Sequence, residues 1–147
     1  MKLNLRMSAL LKRSGISLPL DETLAAKPLT VPVFEFVDDS VLLKQECQGS
    51  RHVKASDFPD RTGYESFINH VHLRFDQTRE SLVSCLRYAQ ALQTGLARLQ
   101  PRRHFQIIVA VGEDDCTVRF HEVRNGESWV AENLEGYSEA VLVLDGG

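Results

Sequence analysis

The sequence predicts an α+β fold, in which an antiparallel sheet of about five strands packs on one long helix. Two observations predict this class. Apolar residues keep a helical spacing over residues 78–99. Elsewhere, alternating apolar and polar residues occur as two hairpins, and the chain ends in a short apolar run. Consecutive hairpins form antiparallel sheets, and one major helix covers one face of such a sheet.

The long helix, residues 78–99, is the clearest element. Either Asp76 or Thr78 is expected to cap it, because a short polar side chain can accept hydrogen bonds from the first free amides. Pro101 ends the helix, and Gly95 is expected to allow a close approach of the sheet. Its apolar residues recur every three or four positions and form one face: Leu82, Leu86, Ala89, Leu92, Leu96 and Leu99.

The strands are predicted from alternation and from turn residues. The first hairpin covers residues 33–43, with its turn at Asp-Asp-Ser, residues 38–40. The second covers residues 105–122 and turns at Gly-Glu-Asp-Asp. Residues 140–145 are almost entirely apolar, which favours a strand inside the sheet and covered on both faces. Between the second hairpin and this last strand, residues 125–137 are expected to form a loop with a short helical turn.

The chain is divided into an N-terminal segment, residues 1–32, and a single α+β domain, residues 33–147. The segment begins with a basic, mildly amphipathic stretch, which favours a surface helix or a leader over a mitochondrial-type presequence. Two prolines within residues 21–32 indicate a linker. Residues 48–63 are expected to form a loop. The stretch NHVHLRF, within residues 67–75, fits a helix and a strand equally well.

Charge is unevenly distributed along the chain. The net charge is −3, yet residues 105–147 contain two basic and nine acidic side chains, a net of −7. This favours a basic partner and disfavours nucleic acid, with a solvated acidic surface as the alternative. No apolar run has the roughly 18–20 residues that a membrane helix needs. Three separated cysteines, Cys47, Cys85 and Cys116, favour a reducing cytoplasm over a disulfide framework or a zinc site.

Candidate catalytic residues are few. If NHVHLRF is a strand, His70 and His72 lie on one face and could hold a metal with a third ligand. The candidates for that ligand lack a diagnostic spacing: His104, His121, Cys116 and Glu122. No nucleophile motif or glycine-rich phosphate loop occurs. A small metal-dependent enzyme using His70 and His72 is therefore the alternative function. The main prediction, a binding protein, implies no cofactor.

A binding surface is better supported. Acidic residues surround the single tryptophan, and a rigid aromatic residue among carboxylates is typical of an interface with a basic protein. A core role for the tryptophan is the alternative. The predicted binding residues are Glu113, Asp114, Asp115, Glu127, Trp129, Glu132, Glu135 and Tyr137.

Two stretches together carry a family resemblance. They are NHVHLRF, residues 69–75, and VRFHEVRNGESWVAENLEGYSEAVLVLD, residues 118–145. The pair resembles bacterial immunity proteins of contact-dependent growth inhibition and polymorphic toxin systems; residues 1–32 lie outside the resemblance. The resemblance implies a cytoplasmic protein, without enzymatic activity, that neutralises a toxin's C-terminal domain, often a nuclease. The expected partner is thus a basic protein rather than nucleic acid or membrane.

Overall fold

The computed structural model describes residues 1–21, 23 and 31–146. In chain order the strands are β1 (Lys2–Leu3), β2 (Phe34–Val37), β3 (Ser40–Leu43), β4 (His70–Arg74), β5 (Phe105–Val111), β6 (Asp115–Glu122) and β7 (Ala140–Gly146). The helices are α1 (Leu5–Arg13), α2 (Lys44–Gly49), α3 (Arg61–Ile68) and α4 (Arg79–Leu99). Single 3₁₀ turns lie at Ala55–Asp57 and Leu134–Gly136. The second of these is the helical turn predicted within residues 125–137.

The α+β class is confirmed, with a five-stranded antiparallel sheet in the order β1-β7-β5-β6-β4. One detail differs from the prediction: the first hairpin, β2–β3, forms a separate two-stranded sheet. Its place is taken by β1 and β4, which form the two edges. All four residues of β3 are buried, because the hairpin packs against α3 and the end of α4 rather than pairing with another strand.

Helix α4 begins at Arg79, and Thr78 rather than Asp76 caps it by accepting a hydrogen bond from the Ser81 amide. Its apolar face packs in the main core against the inward side chains of β5, β6 and β7. The close approach expected at Gly95 occurs, but the neighbour is the hairpin. A Cβ at this position would lie 3.0 Å from Cε2 of Phe34. Because glycine has no Cβ, the ring of Phe34 in β2 can pack directly against the helix at this position.

The N-terminal segment packs into the same core as the rest of the described chain. Three apolar residues of α1 are buried there, together with Ile16 and Leu20. Asn4 is 1% exposed, and its Oδ1 accepts hydrogen bonds from the amides of Met7 (3.0 Å) and Val141 (2.9 Å). The basic side chains of α1 thus lie on a helix whose other face is internal. Most of the predicted linker, residues 21–32, lies outside the described residues.

Helix α3 begins within the predicted loop, residues 48–63, and extends beyond it to Ile68. Asp60 caps it, with Oδ1 accepting a hydrogen bond from the Gly63 amide at 2.7 Å. The helix ends at Ile68 and β4 begins at His70, so the ambiguous NHVHLRF is a strand from His70 to Arg74. Residues 48–63 also contain the end of α2 and a 3₁₀ turn. Each piece is too short for apolar periodicity to identify it.

A buried carboxylate joins α3 to both sheets. Glu65 is 1% exposed, and its Oε2 accepts hydrogen bonds from Ser40 Oγ of β3 at 3.1 Å and from Arg124 Nη2 at 2.6 Å. Its Oε1 accepts from the Glu122 amide of β6 at 2.9 Å. Arg124 also pairs with the Glu122 carboxylate, which contacts Arg103. Both oxygens of this buried charge therefore have partners, as burial of a charge requires.

The first prediction concerns Glu65→Gln, which preserves size but removes the charge. It should lower the free energy of unfolding by about 2 kcal/mol, because the partly buried Arg124 guanidinium loses its nearer counter-charge and keeps only the Glu122 carboxylate. Urea denaturation measures the change. Glu132→Gln is the matched control: this exposed carboxylate should cost less than about 0.5 kcal/mol. Equal stabilities for the two variants would contradict a stabilising role for the buried pair.

Candidate functional site

The candidate site lies on the face of the five-stranded sheet opposite α1 and α4, called the outer face. The segment between β6 and β7 crosses this face and covers one half of it. There Leu134, Val130 and Tyr137 pack on Ile108 and on Val141 and Val143 of β7. The half formed by β6 and β4 carries polar and aromatic side chains instead. Pairing sets His70 opposite Arg119 and His72 opposite Thr117.

Trp129 lies above this half of the face. The guanidinium of Arg119 sits 4.8 Å from the centre of the indole ring, a cation–π contact. Arg119 also donates a hydrogen bond from Nη1 to the Ser66 carbonyl oxygen of α3 at 3.2 Å, so it is fixed from two directions. Trp129 remains 41% exposed and is not part of the buried core. The tryptophan is thus held in place while its ring stays accessible.

A row of aromatic rings continues from α3 onto β4. The centroids of Phe58 and Phe67 are 5.5 Å apart, those of Phe67 and His70 5.7 Å, and those of His70 and His72 5.1 Å. Such spacings are those of stabilising aromatic pairs. Phe67 is 40% exposed. The sequence prediction missed the two phenylalanines, whose place beside the histidines depends on α3.

The two histidines are engaged with their neighbours. His70 donates from Nδ1 to the Phe67 carbonyl oxygen, and His72 donates from Nδ1 to Asp115 Oδ2 at 2.9 Å. Among residues 1–21, 23 and 31–146, no three His, Cys, Asp or Glu side chains are grouped so that they could hold a metal ion. Of the third ligands considered, Cys116 belongs to the core on the opposite face of the sheet. What the pair offers is an exposed surface for hydrogen bonding and ring contact.

Four of the eight predicted binding residues make internal hydrogen bonds. Glu127 Oε1 accepts from the Thr62 amide at 3.0 Å, a bond that lowers the pKa of the Glu127 carboxyl. Glu135 Oε1 accepts from the Leu5 amide at 2.9 Å, at the start of α1. Asp115 binds His72, and Tyr137 Oη accepts from the Ala131 amide at 2.9 Å. These side chains hold the loops in place.

Three other predicted residues present unpaired charge. The carboxylates of Glu113, Asp114 and Glu132 are exposed and make no hydrogen bond or ion pair to any described residue. The first two lie on the β5–β6 turn, at the end of the sheet where β7 begins. With Glu139, Glu113 borders a depression of about 660 Å³ whose other lining includes Arg6 and Arg13. The cations of α1 thus offset part of the acidic charge there.

The structure does not gather the eight residues into one patch. Glu113, Asp114, Asp115 and Glu135 lie toward the sheet end that holds the β5–β6 turn and the start of α1. Glu127 lies beside the first turn of α3, and Trp129 stands over the middle of β6. Their role in binding stays a prediction.

His121 is a buried titratable group beneath the outer face. It is 2% exposed, and its Nδ1 donates to the Glu122 carbonyl oxygen at 2.9 Å, while Nε2 has no partner among the described residues. Burial is the main cause that lowers the pKa of His121 below its ordinary value. The neutral imidazole is therefore the form that the fold favours.

Comparison with known proteins gives a family for the chain. The model of the uncharacterized protein PM0498 family matches residues 2–147, so the chain belongs to that family. No curated protein and no solved structure matches it. Within the described part of the chain, no helix has the length and apolar character needed to cross a membrane.

The second prediction follows from His121. Because its pKa is lower in the folded chain than in the unfolded one, the unfolded chain takes up this proton more readily as the pH falls through about 6.5. Stability is therefore lost on going from pH 7.5 to pH 5.5. His121→Gln should reduce that loss by up to about 1 kcal/mol, measured by urea denaturation at both pH values. His52→Gln, at an exposed site, should keep the original pH dependence; an unchanged dependence in His121→Gln would contradict the assignment.

Proposed function

We propose that this member of the PM0498 family is an immunity protein, which binds the C-terminal domain of a toxin in the cytoplasm and blocks its activity. The observation that carries the proposal is the set of unpaired carboxylates on loops of the last third of the chain, Glu113, Asp114 and Glu132. Toxin domains that cleave nucleic acid have basic sites, since those sites bind phosphates. Unpaired carboxylates attract such a site and speed association.

Trp129 supplies a suitable apolar anchor. Aromatic side chains that are already held in place lose little conformational freedom on binding, and they recur among the residues that contribute most to interfaces. The Arg119 contact holds the indole ring while leaving it accessible. Trp129 is therefore assigned a direct contact with the toxin domain.

The remaining predicted residues receive a positioning role. Glu135 fastens the loop before β7 to the start of α1, and Glu127 fastens the loop after β6 to the start of α3. Tyr137 closes the intervening turn through the Ala131 amide. By fixing the backbone on both sides of Glu132, these bonds lower the entropy that binding would otherwise cost.

The first test is co-expression of this protein with the C-terminal domain of the protein encoded by the reading frame directly upstream. The proposal expects that domain to arrest growth when expressed alone and to be harmless when this protein is present. Growth curves with an inducible promoter for each partner give the readout. An upstream domain that is not toxic, or one that kills equally with and without this protein, would overturn the proposal.

A sharper prediction uses charge reversal. Glu113→Lys combined with Glu132→Lys should slow association with the toxin domain about 10-fold at low salt, and less at high salt, because long-range steering is lost. Stopped-flow fluorescence of Trp129 measures the rate. The matched control combines Glu46→Lys and Glu80→Lys, which changes the net charge equally on α2 and α4. Equal slowing in both double variants would mean that net charge acts, and not this surface.

A further inference from the structure

Strand β4 leaves one edge of the five-stranded sheet open. It pairs with β6 alone, and none of the described residues pairs with its other side. Exposed edges present unpaired backbone N–H and C=O groups, to which a further strand can add. The opposite edge, β1, has only two residues. The β4 edge is therefore the place where this sheet can be extended.

The hydrogen-bond pattern shows which groups point outward. Asn69 and Phe75 flank β4 on either side. The Phe120 amide donates to the Asn69 carbonyl oxygen, and the Phe75 amide donates to the Asp114 carbonyl oxygen, so both of these residue pairs are hydrogen-bonded. Hydrogen-bonded pairs alternate along an antiparallel ladder, which makes Val71 and Leu73 bond to β6 as well. The amide and carbonyl groups of the alternate residues, His70, His72 and Arg74, must then face away from the sheet.

The side chains along this edge divide between the two faces. His70, His72 and Arg74 lie on the outer face, where they form a line of cationic or protonatable groups. Asp115 bonds His72 and offsets part of this charge, whereas the Arg74 side chain has no partner among the described residues. On the inner face, Val71 and Leu73 are only partly buried against the core. A strand added here would meet basic groups on one face and apolar groups on the other.

We propose that the β4 edge binds an extended peptide segment of a partner protein in which acidic and apolar side chains alternate. Its backbone would bond to His70, His72 and Arg74, and its acidic side chains would lie opposite theirs. Its apolar side chains would complete the burial of Val71 and Leu73. Because strand side chains alternate between faces, one segment satisfies both faces.

A second copy of this chain fits the edge less well. Antiparallel self-pairing centred on His72 would set His72 opposite its copy and His70 opposite Arg74. Basic groups directly opposite one another are destabilising. The edge adjoins the acidic β5–β6 turn, where Asp115 lies opposite Arg74, but the edge selects an acidic segment whereas the carboxylates of the turn select a basic partner. The two proposals can therefore fail separately.

Three short synthetic peptides test the proposal by isothermal titration calorimetry on the full chain. The first alternates valine and glutamate, the second replaces glutamate with lysine, and the third has the composition of the first arranged in two blocks. Only the first is expected to bind, with affinity falling as salt rises. Binding of the lysine peptide, of the block peptide, or of none at millimolar concentration would overturn the proposal.

Variants separate the backbone contribution from that of the side chains. His72→Pro removes an outward N–H without removing a hydrogen bond to β6, a position at which edge strands accept proline. It should weaken binding at least 10-fold relative to His72→Ala, which keeps the N–H. Arg74→Glu should weaken binding about 10-fold at low salt. Arg102→Glu, at an exposed site after α4, is its control and should bind normally.

Amide hydrogen exchange on the unaltered chain gives a readout independent of any variant. Without peptide, the amides of His70, His72 and Arg74 should exchange much faster than those of Val71 and Leu73. The alternating peptide should protect the three fast amides. Protection elsewhere but not at β4 would overturn the proposal, as would a dimer in analytical ultracentrifugation that His72→Pro abolishes, since the occupant would then be a second copy.

Discussion

The hydrogen bonds of the buried Glu65 carboxylate fix the position of α3, and through it the position of β4 and Trp129. The carboxylate binds β3 through Ser40 and β6 through the Glu122 amide, and it neutralises Arg124. It thereby sets α3 between the hairpin and the main sheet. The position of α3 in turn decides where β4 begins and places the Ser66 carbonyl that holds Arg119. Without that arrangement Trp129 would lose its support.

Asn4 has the corresponding role at the opposite end of the sheet. Its side chain caps α1 and binds the backbone of β7, and it donates to the carbonyl oxygens of Leu134 and Glu139. The loop that carries Glu132 and Glu135 is thereby attached to the N-terminal segment. Buried polar contacts, rather than apolar packing alone, thus locate the candidate surfaces. Such contacts are directional, so they specify one arrangement where apolar burial accepts several.

These contacts place two surfaces of opposite character side by side. Loops at the β5–β6 end and before β7 carry unpaired carboxylates, while the β4 edge carries His70, His72 and Arg74. The two surfaces adjoin because β4 pairs with β6: Asp115 lies opposite Arg74, and Trp129 stands over Arg119, which lies opposite His70. A partner bound at one surface therefore bears on binding at the other.

Local patterns of side chains were enough to predict several elements. Helix α4, both hairpins and β7 were predicted within a residue or two, because side-chain spacing reports directly on burial of one face. Which strands share a sheet, and which carboxylates stay free, depends on contacts between residues far apart in the chain. Glu135 binds Leu5 and Glu127 binds Thr62, partners separated by 130 and 65 positions along the chain. Hydrogen bonds over such separations leave no periodic trace, because each depends on one donor brought near by the fold.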